Sequence, residues 1–239
     1  MSKTHDLSER LRRVLLDHQH LHDEDAEPRN RLRWLPILRA WQAARLEDSF
    51  RRFLRDPARR PAARFFLDDV YNDADFSRRD ADIARVMPMM QALLPRQMLE
   101  TLADAIELGA FTQGLDLRVA EALERMAPRR RSLDAALYAR AYTAVTTPQE
   151  RSHQIDLIAR VGHGLGRALR TTGVGTLLKL ARGPARAAGL GELQGFLERG
   201  VQAFSCIGDV DGFIDEIEHE ERTVSARLFD DDPDPFRPV

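Results

Sequence analysis

The spacing of apolar side chains is the feature that most restricts the fold of this chain. Large apolar residues recur at intervals of three and four positions in nearly every segment, as Leu7, Leu11, Val14 and Leu15 do near the start. This is the period of one face of an α-helix, and the alternating β-branched pattern of a half-buried strand is almost absent. The pattern therefore predicts an all-α protein.

Start and stop signals divide the chain into a multi-helix bundle of about nine or ten helices, some kinked by proline. We expect Asp6 to cap a first helix that ends near His22, and Pro36 to kink or split a long helix over about 29–55. Pro61 fits the first turn of a short helix. Further helices are expected over about 77–94, 96–109, 113–126, 132–145, 148–171, 174–182, 190–204 and 210–228.

Three of these predicted helices begin at recognisable caps. Ser77 with Asp80, and Thr147 with Glu150, have the spacing of a capping box, and Ser132 stands where a further cap is needed. The break between the helices at 96–109 and 113–126 is predicted from the glycines at 109 and 114.

One domain is the simplest organisation for this chain. A chain of 239 residues that is 43% hydrophobic can bury one substantial core, and we find no tandem repeat or linker. We therefore predict a single helical domain over 1–229, in which 1–27 form an N-terminal helix and an acidic, histidine-rich connection. The last ten residues, DDDPDPFRPV (230–239), are predicted to be a flexible acidic tail.

Composition argues against several classes of function. A net charge of −2 provides no general attraction to nucleic acid or anionic membranes, and 34 of the 36 basic residues are arginines, which a bias toward GC-rich codons explains. Cys206 is the single cysteine, so no internal disulfide can form. With no apolar stretch of membrane-spanning length and no export signal, we expect a bacterial, cytoplasmic protein.

The stretch RFFLDDVYNDADFSRRDAD (64–82) combines six aspartates with three arginines and raises the question of a metal or catalytic site. Counted from Asp73, a calcium loop would need glycine and glutamate where Arg78 and Ala84 stand. The prediction is instead a polar cluster that fastens a corner between two helices, and a ligand site is the alternative. Its expected members are Asp69, Tyr71, Arg79 and Asp82.

The same stretch carries a resemblance to a known family. FFLDDVY and DFSRRDAD, together with WQAARL upstream and GPARAAGLGELQGFLERGVQAF downstream, resemble a widespread proteobacterial family of uncharacterised proteins that carry a domain of unknown function. The resemblance covers roughly residues 38–228. It implies a single helical unit, and it provides no activity or catalytic residue that could be transferred to this chain.

Other acids and histidines have spacings that occur in metal sites. Two Glu-x-x-His strings could each present two ligands from one helix face, as in di-iron bundles, with Glu47 and Glu107 completing the set. A histidine pair four residues apart could chelate a transition metal. Helix capping and solvent-exposed helix ends explain these residues equally well, so we predict no metal and no cofactor. The candidates are Glu150 with His153, Glu216 with His219, and His18 with His22.

A basic region is the clearest chemical asymmetry of the chain. No acidic residue occurs between Leu157 and Gly191, and ten of the fourteen glycines lie between Gly162 and Gly200, which suggests close helix packing. The basic side chains could meet a protein partner or an anionic surface, or could receive acidic helices of the same fold. They are Arg160, Arg167, Arg170, Lys179, Arg182 and Arg186.

WQAAR places Trp41 and Arg45 on one helical face as a stacking or cation–π pair, and Gln42 beside them could also reach Arg45. We expect a polar contact at the core edge, and a ligand site is the alternative.

Two hypotheses for function follow. The first is a non-enzymatic binding module that uses the basic face of residues 160–186 for a protein or anionic partner, or that forms a homo-oligomer. It predicts an exposed basic patch and no enclosed polar pocket. The second is a helical-bundle enzyme or cofactor-binding protein, which requires a concave site where acids meet histidine or arginine. We favour the first, and the absence of interleaved aromatic residues argues against nucleic acid.

Overall fold

The structure, a computed structural model, confirms the all-α prediction. It describes residues 2–70, 95–170, 173–187 and 191–238, and this part of the chain is helical with no strand. Ten α-helices occur in it, with a 3-10 turn at Pro28–Arg31 and a π-helical turn at Phe66–Val70. The α-helices are α1 Ser2–His22, α2 Trp34–Ser49, α3 Arg51–Arg55, α4 Arg60–Phe65, α5 Arg96–Met126, α6 Ala135–Val145, α7 Pro148–Arg170, α8 Val174–Ala187, α9 Gly191–Phe204 and α10 Val210–Phe229.

The long helix α5 forms the centre of the bundle. It packs against α1, α2, α6 and α7, and α7 packs in turn against α10. The predicted break near Gly109 and Gly114 is wrong, because α5 continues through both positions. A helical glycine costs only about 1 kcal/mol relative to alanine, and Gly109 leaves space for the His18 ring of α1, whose Cδ2 would lie 3.1 Å from an added Cβ.

Two of the predicted helix starts are also wrong. Asp6 lies inside α1, which begins at Ser2, and Asp134 replaces Ser132 as the cap of α6 by accepting from the backbone N–H of Leu137. Pro36 neither kinks nor splits a helix: α2 begins at Trp34, so the proline occupies the first turn, where it displaces no helical hydrogen bond.

The capping box at the start of α7 is confirmed. The backbone N–H of Thr147 donates to Glu150 Oε2 at 2.8 Å, and the backbone N–H of Glu150 donates to Thr147 Oγ1 at 3.2 Å. Pro61 lies in the first turn of α4, as predicted. The predicted capping box of Ser77 and Asp80 lies outside the described residues.

Two main groups of buried side chains hold the bundle together. The first is rich in phenylalanine: Phe53 contacts Phe213 edge-on with ring centroids 4.9 Å apart, and Phe66 contacts Phe204 at 5.9 Å. The second joins α2, α5, α6 and α10 around the buried Trp34 and Tyr138. The polar site described below lies between these two groups.

Three glycines on α7 allow close helix packing. A Cβ on Gly162 would lie 2.4 Å from Ile214 Cδ1 of α10, and one on Gly164 would lie 2.3 Å from Thr101 Oγ1 of α5. A Cβ on Gly166 would lie 2.8 Å from Val210 Cγ1 of α10. The packing role expected for these glycines agrees with this geometry.

The last residues turn back onto the bundle. The Phe236 ring lies 5.4 Å from that of Trp41, edge-on, and Arg237 pairs with Asp232 at 2.6 Å. The division into a domain over 1–229 and a flexible tail over 230–239 stays a prediction.

Candidate functional site

A partly open cavity of about 830 Å³ lies between the two core groups. Side chains from α2, α5, α6, α7 and α10 line it, and they include guanidinium, carboxylate, amide and phenol groups. The second hypothesis from sequence requires a concave site where acids meet histidine or arginine, so this cavity directs attention to it.

Arg151 is the most unusual side chain in the cavity wall. Only 4% of the residue is exposed, and its guanidinium carbon lies 4.1 Å from the centre of the Tyr142 ring. Nε donates to Thr146 Oγ1 at 3.3 Å and Nη1 to Gln154 Oε1 at 2.9 Å. Within the described part of the chain, Nη2 has no hydrogen-bond acceptor and no carboxylate forms an ion pair with Arg151.

The neighbouring charged groups of the cavity have partners from other helices. Arg45 on α2 forms an ion pair with Glu221 on α10 at 3.1 Å, and both side chains are largely buried. Asp116 on α5 accepts from Gln42 Nε2 at 3.0 Å. Trp41, expected beside Arg45, stacks on Tyr138 at 4.4 Å. Arg45 itself lies over the Phe236 ring at 5.7 Å.

Two tyrosines complete this end of the cavity as neutral hydroxyl groups. Burial raises the pKa of Tyr142 to about 12, although the positive charge of Arg151 acts in the opposite direction. Burial raises the pKa of Tyr138 as well. Tyr142 shares a hydrogen bond of 3.0 Å with Ser225 Oγ. Both phenols therefore stay protonated near neutral pH, where they can donate hydrogen bonds but cannot act as bases.

The cluster predicted between residues 64 and 82 is described only in part. Asp69 accepts from Arg199 on α9, with 2.6 Å between Oδ1 and Nη2, so it ties the end of the π-helical turn to a distant helix. Tyr71, Arg79 and Asp82 lie outside the described residues. Asp68 and Asp69 also line the cavity, although they are far from Arg151 in sequence.

The residues of the predicted basic face belong to two helices, and several are paired within the chain. Arg160 lies 3.5 Å from Asp104, Arg170 lies 3.1 Å from Asp211, and Arg182 lies 2.7 Å from Glu198. Arg167, Lys179 and Arg186 are exposed. The hydrogen bond from Arg182 holds the pKa of Glu198 below its usual value.

The structure brings two pairs of the candidate metal ligands together and pairs most of the others with arginines. Glu150 pairs with Arg118 at 2.7 Å, which with the Thr147 hydrogen bonds offsets burial and lowers its pKa. His153 lies 3.6 Å from Glu107. Glu216 pairs with Arg52 and Arg59, whereas His219 is exposed. Glu47 lies 3.3 Å from Arg64. His18 stacks on His22 with ring centroids 4.0 Å apart.

One further group of metal-ligand type occurs among the described residues. Ligand atoms of His163, Asp215 and Glu218 lie within 4.8 Å of one another at the surface. His163 already contacts Asp211 and Asp215 through its two ring nitrogens, at 3.0 and 3.3 Å. Glu218 accepts from Arg222 at 2.6 Å. Ion pairing within the chain accounts for this group.

Sequence reasoning overlooked Arg151, Asp116, Glu221 and Tyr142. A signal for Arg151 was present, since it precedes Ile155 by four residues and Ile158 by seven and therefore shares the apolar face of α7. An arginine on such a face is buried unless the helix lies at the surface. The other three residues have no comparable local signal.

Comparisons with known proteins locate the chain in one family. Neither the curated proteins nor the solved structures contain a match. Among the described residues, no helix has both the length and the apolar character needed to cross a membrane. A family model matches residues 21–235, a wider span than the 38–228 expected from the resemblance. The chain therefore belongs to the family described as Domain of unknown function (DUF8198).

Proposed function

We propose that this chain is a binding protein for a small organic anion, which it holds in the cavity against Arg151. The observation that carries the proposal is the burial of this guanidinium without a carboxylate partner among the described residues. This proposal retains the binding function of the first hypothesis, but it locates the binding site in the cavity instead of on the basic face.

The physical argument rests on the cost of burying a charge. Arginine cannot lose its proton in a protein, and the desolvation of a buried ion costs several kcal/mol unless an opposite charge compensates it. Tyr142 and two neutral acceptors compensate Arg151 only in part. A bound anion would supply the missing charge through charge-assisted hydrogen bonds, which are about twice as strong as neutral ones.

The geometry favours binding over catalysis. Asp116 and Glu221 already accept from Gln42 and Arg45, and burial keeps the Tyr142 phenol protonated. A general base needs a pKa near the working pH and an open hydrogen-bonding position. The alternative of a helical-bundle enzyme would require one of these carboxylates to leave its partner.

Docking of a protein or an anionic surface on residues 160–186 is the second candidate. The exposure of Arg167, Lys179 and Arg186 supports it, and the ion pairs of Arg160, Arg170 and Arg182 weaken it because they offset charge within the chain. A cytoplasmic location and a proteobacterial origin, both expected from the sequence, are parts of our proposal.

The proposal is tested by thermal-shift titration of the full chain with acetate, succinate, octanoate and inorganic phosphate. At least one of these probes should raise the melting temperature of the unmodified protein, and Arg151→Met should abolish the rise. Arg140→Met is the matched control, because Arg140 is an exposed arginine on α6 that does not line the cavity. No shift with any probe, or an equal shift in Arg151→Met, would refute the proposal.

A further inference from the structure

The cavity has a polar end and an apolar end, and their order follows from two antiparallel helices. Gln154 of α7 donates to Thr112 of α5 at 2.8 Å, whereas Arg160 of α7 lies beside Asp104 of α5 at 3.5 Å. Residues that follow Gln154 on α7 therefore face residues that precede Thr112 on α5.

This register places chemically different side chains at the two ends. At one end Arg151 and Gln154 on α7 lie opposite Thr112 and Asp116 on α5. Toward the other end, Arg64, Asp68 and Asp69 line the cavity beside an apolar group made of Ala105, Leu108, Ile155, Ile158, Val161, Leu67 and Phe196. From Arg151 to Val161 a helix rises by about 15 Å, so a ligand can have a charged head at one end and an apolar body beyond it.

The charges of the lining residues favour a head group with one negative charge. Arg39, Arg45 and Arg64 also line the cavity; Arg39 donates to the Gln113 amide, and Arg45 and Arg64 pair with Glu221 and Glu47. Glu221 and Asp116 are themselves negative and lie at the polar end. A second negative charge on the ligand would meet these carboxylates in a poorly solvated space, where like charges repel strongly.

We infer that the ligand is a monocarboxylic acid with an apolar body, bound with its carboxylate at Arg151 and its body between α5 and α7. This inference rests on the proposed function and specifies the class of its ligand. The planar guanidinium is suited to a carboxylate, and burial of the body against aliphatic side chains contributes affinity in proportion to its apolar area.

Isothermal titration calorimetry on the full chain separates the contributions of head and body. Octanoate supplies both, acetate supplies the head alone, and octanol supplies the body alone. We expect octanoate to bind at least about tenfold more tightly than either partial probe. We expect inorganic phosphate to bind more weakly than octanoate because of its additional charge.

Two variants assign these effects to the two ends of the cavity. Arg151→Met should reduce octanoate affinity by about tenfold or more, with Arg140→Met as the unaffected control. Ala105→Met narrows the apolar end from a half-buried position and should weaken octanoate while leaving acetate binding unchanged. Thermal melting of each variant checks that it is folded, and Arg151→Lys, which keeps the charge, replaces Arg151→Met if that variant does not fold.

The outcomes distinguish this inference from the proposed function. If succinate or phosphate binds in an Arg151-dependent manner and octanoate does not, the ligand class is wrong and the anion site stands. If octanol binds as tightly as octanoate, the carboxylate is irrelevant and the ligand class is again wrong. If no anion binds and no variant differs, both are wrong.

Discussion

Gly164 on α7 offers a stringent test of the packing that holds α5 and α7 together around the cavity. A Cβ added there would lie 2.3 Å from Thr101 Oγ1, 2.8 Å from Cγ2 and 3.0 Å from Cβ. Thr101 is β-branched and held on a helix, so it has little freedom to move aside. Gly164→Ala must therefore shift the two helices apart.

The expected magnitude follows from two opposing effects. Overpacking a core costs about 1–3 kcal/mol, and the higher helix propensity of alanine returns roughly 1 kcal/mol. Gly164→Ala should therefore lower the free energy of unfolding by up to about 2 kcal/mol. Gly114 on α5 is the matched control, because no atom lies within 4 Å of its added Cβ. Gly114→Ala should raise the free energy of unfolding by about 0.5–1 kcal/mol.

Thermal and urea unfolding followed by far-UV circular dichroism measure this difference, which should separate the two melting temperatures by up to roughly 10 °C. Thr101→Ala removes the two closest atoms and should recover about 1 kcal/mol when it is combined with Gly164→Ala. Equal stability of Gly164→Ala and Gly114→Ala would refute the close approach of α5 and α7, and so would a double variant whose effects simply add.

Three further predictions concern the cavity wall. Burial raises the pKa of Tyr142 from 10.0 to about 12, so the unfolded chain ionises first as pH rises. Ionisation of Tyr142 should remove roughly 3 kcal/mol of stability between about pH 10 and pH 12. Urea unfolding of Tyr142→Phe should show a smaller loss across this range, and the loss that remains comes in part from Tyr138, whose pKa burial also raises. Phe236→Ala should lower the free energy of unfolding by about 1–2 kcal/mol and change the fluorescence of the adjacent Trp41; unchanged fluorescence would contradict the described contact. Glu221→Gln removes the carboxylate that pairs with the buried Arg45 and should cost about 1–3 kcal/mol in urea unfolding, whereas a neutral effect would mean that the pair is solvated.

The sequence predicts this fold at several positions where local chemistry decides the structure, although the caps expected at Asp6 and Ser132 are wrong. The capping box of Thr147 and Glu150 and the position of Pro61 depend on contacts within four residues, and both occur as expected. The break predicted near Gly109 fails because a tertiary contact outweighs a local preference. The small penalty of a helical glycine is offset by packing against His18, which lies about ninety positions away in the chain.

The cavity is less predictable because it depends on the register of helices that are distant in sequence. Gln42 meets Asp116 and Arg45 meets Glu221 only after α2, α5 and α10 have packed. Trp41 and Arg45 were expected to contact each other from their spacing on one helix. That spacing correctly assigns them to one face, but it contains no information about Tyr138 and Phe236, which contact them in the folded chain.

In an arginine-rich chain, the sequence does not show which arginine is buried. With 34 arginines in the chain, neither residue type nor charge distinguishes Arg151 from those that pair at the surface, and codon bias explains their number without reference to function. The distinction is thermodynamic: surface arginines keep their hydration, whereas Arg151 has lost it without gaining a carboxylate among the described residues. If the chain bound nothing in the cavity, a neutral side chain at position 151 would avoid this cost. In our proposal, a bound anion supplies the charge that Arg151 lacks.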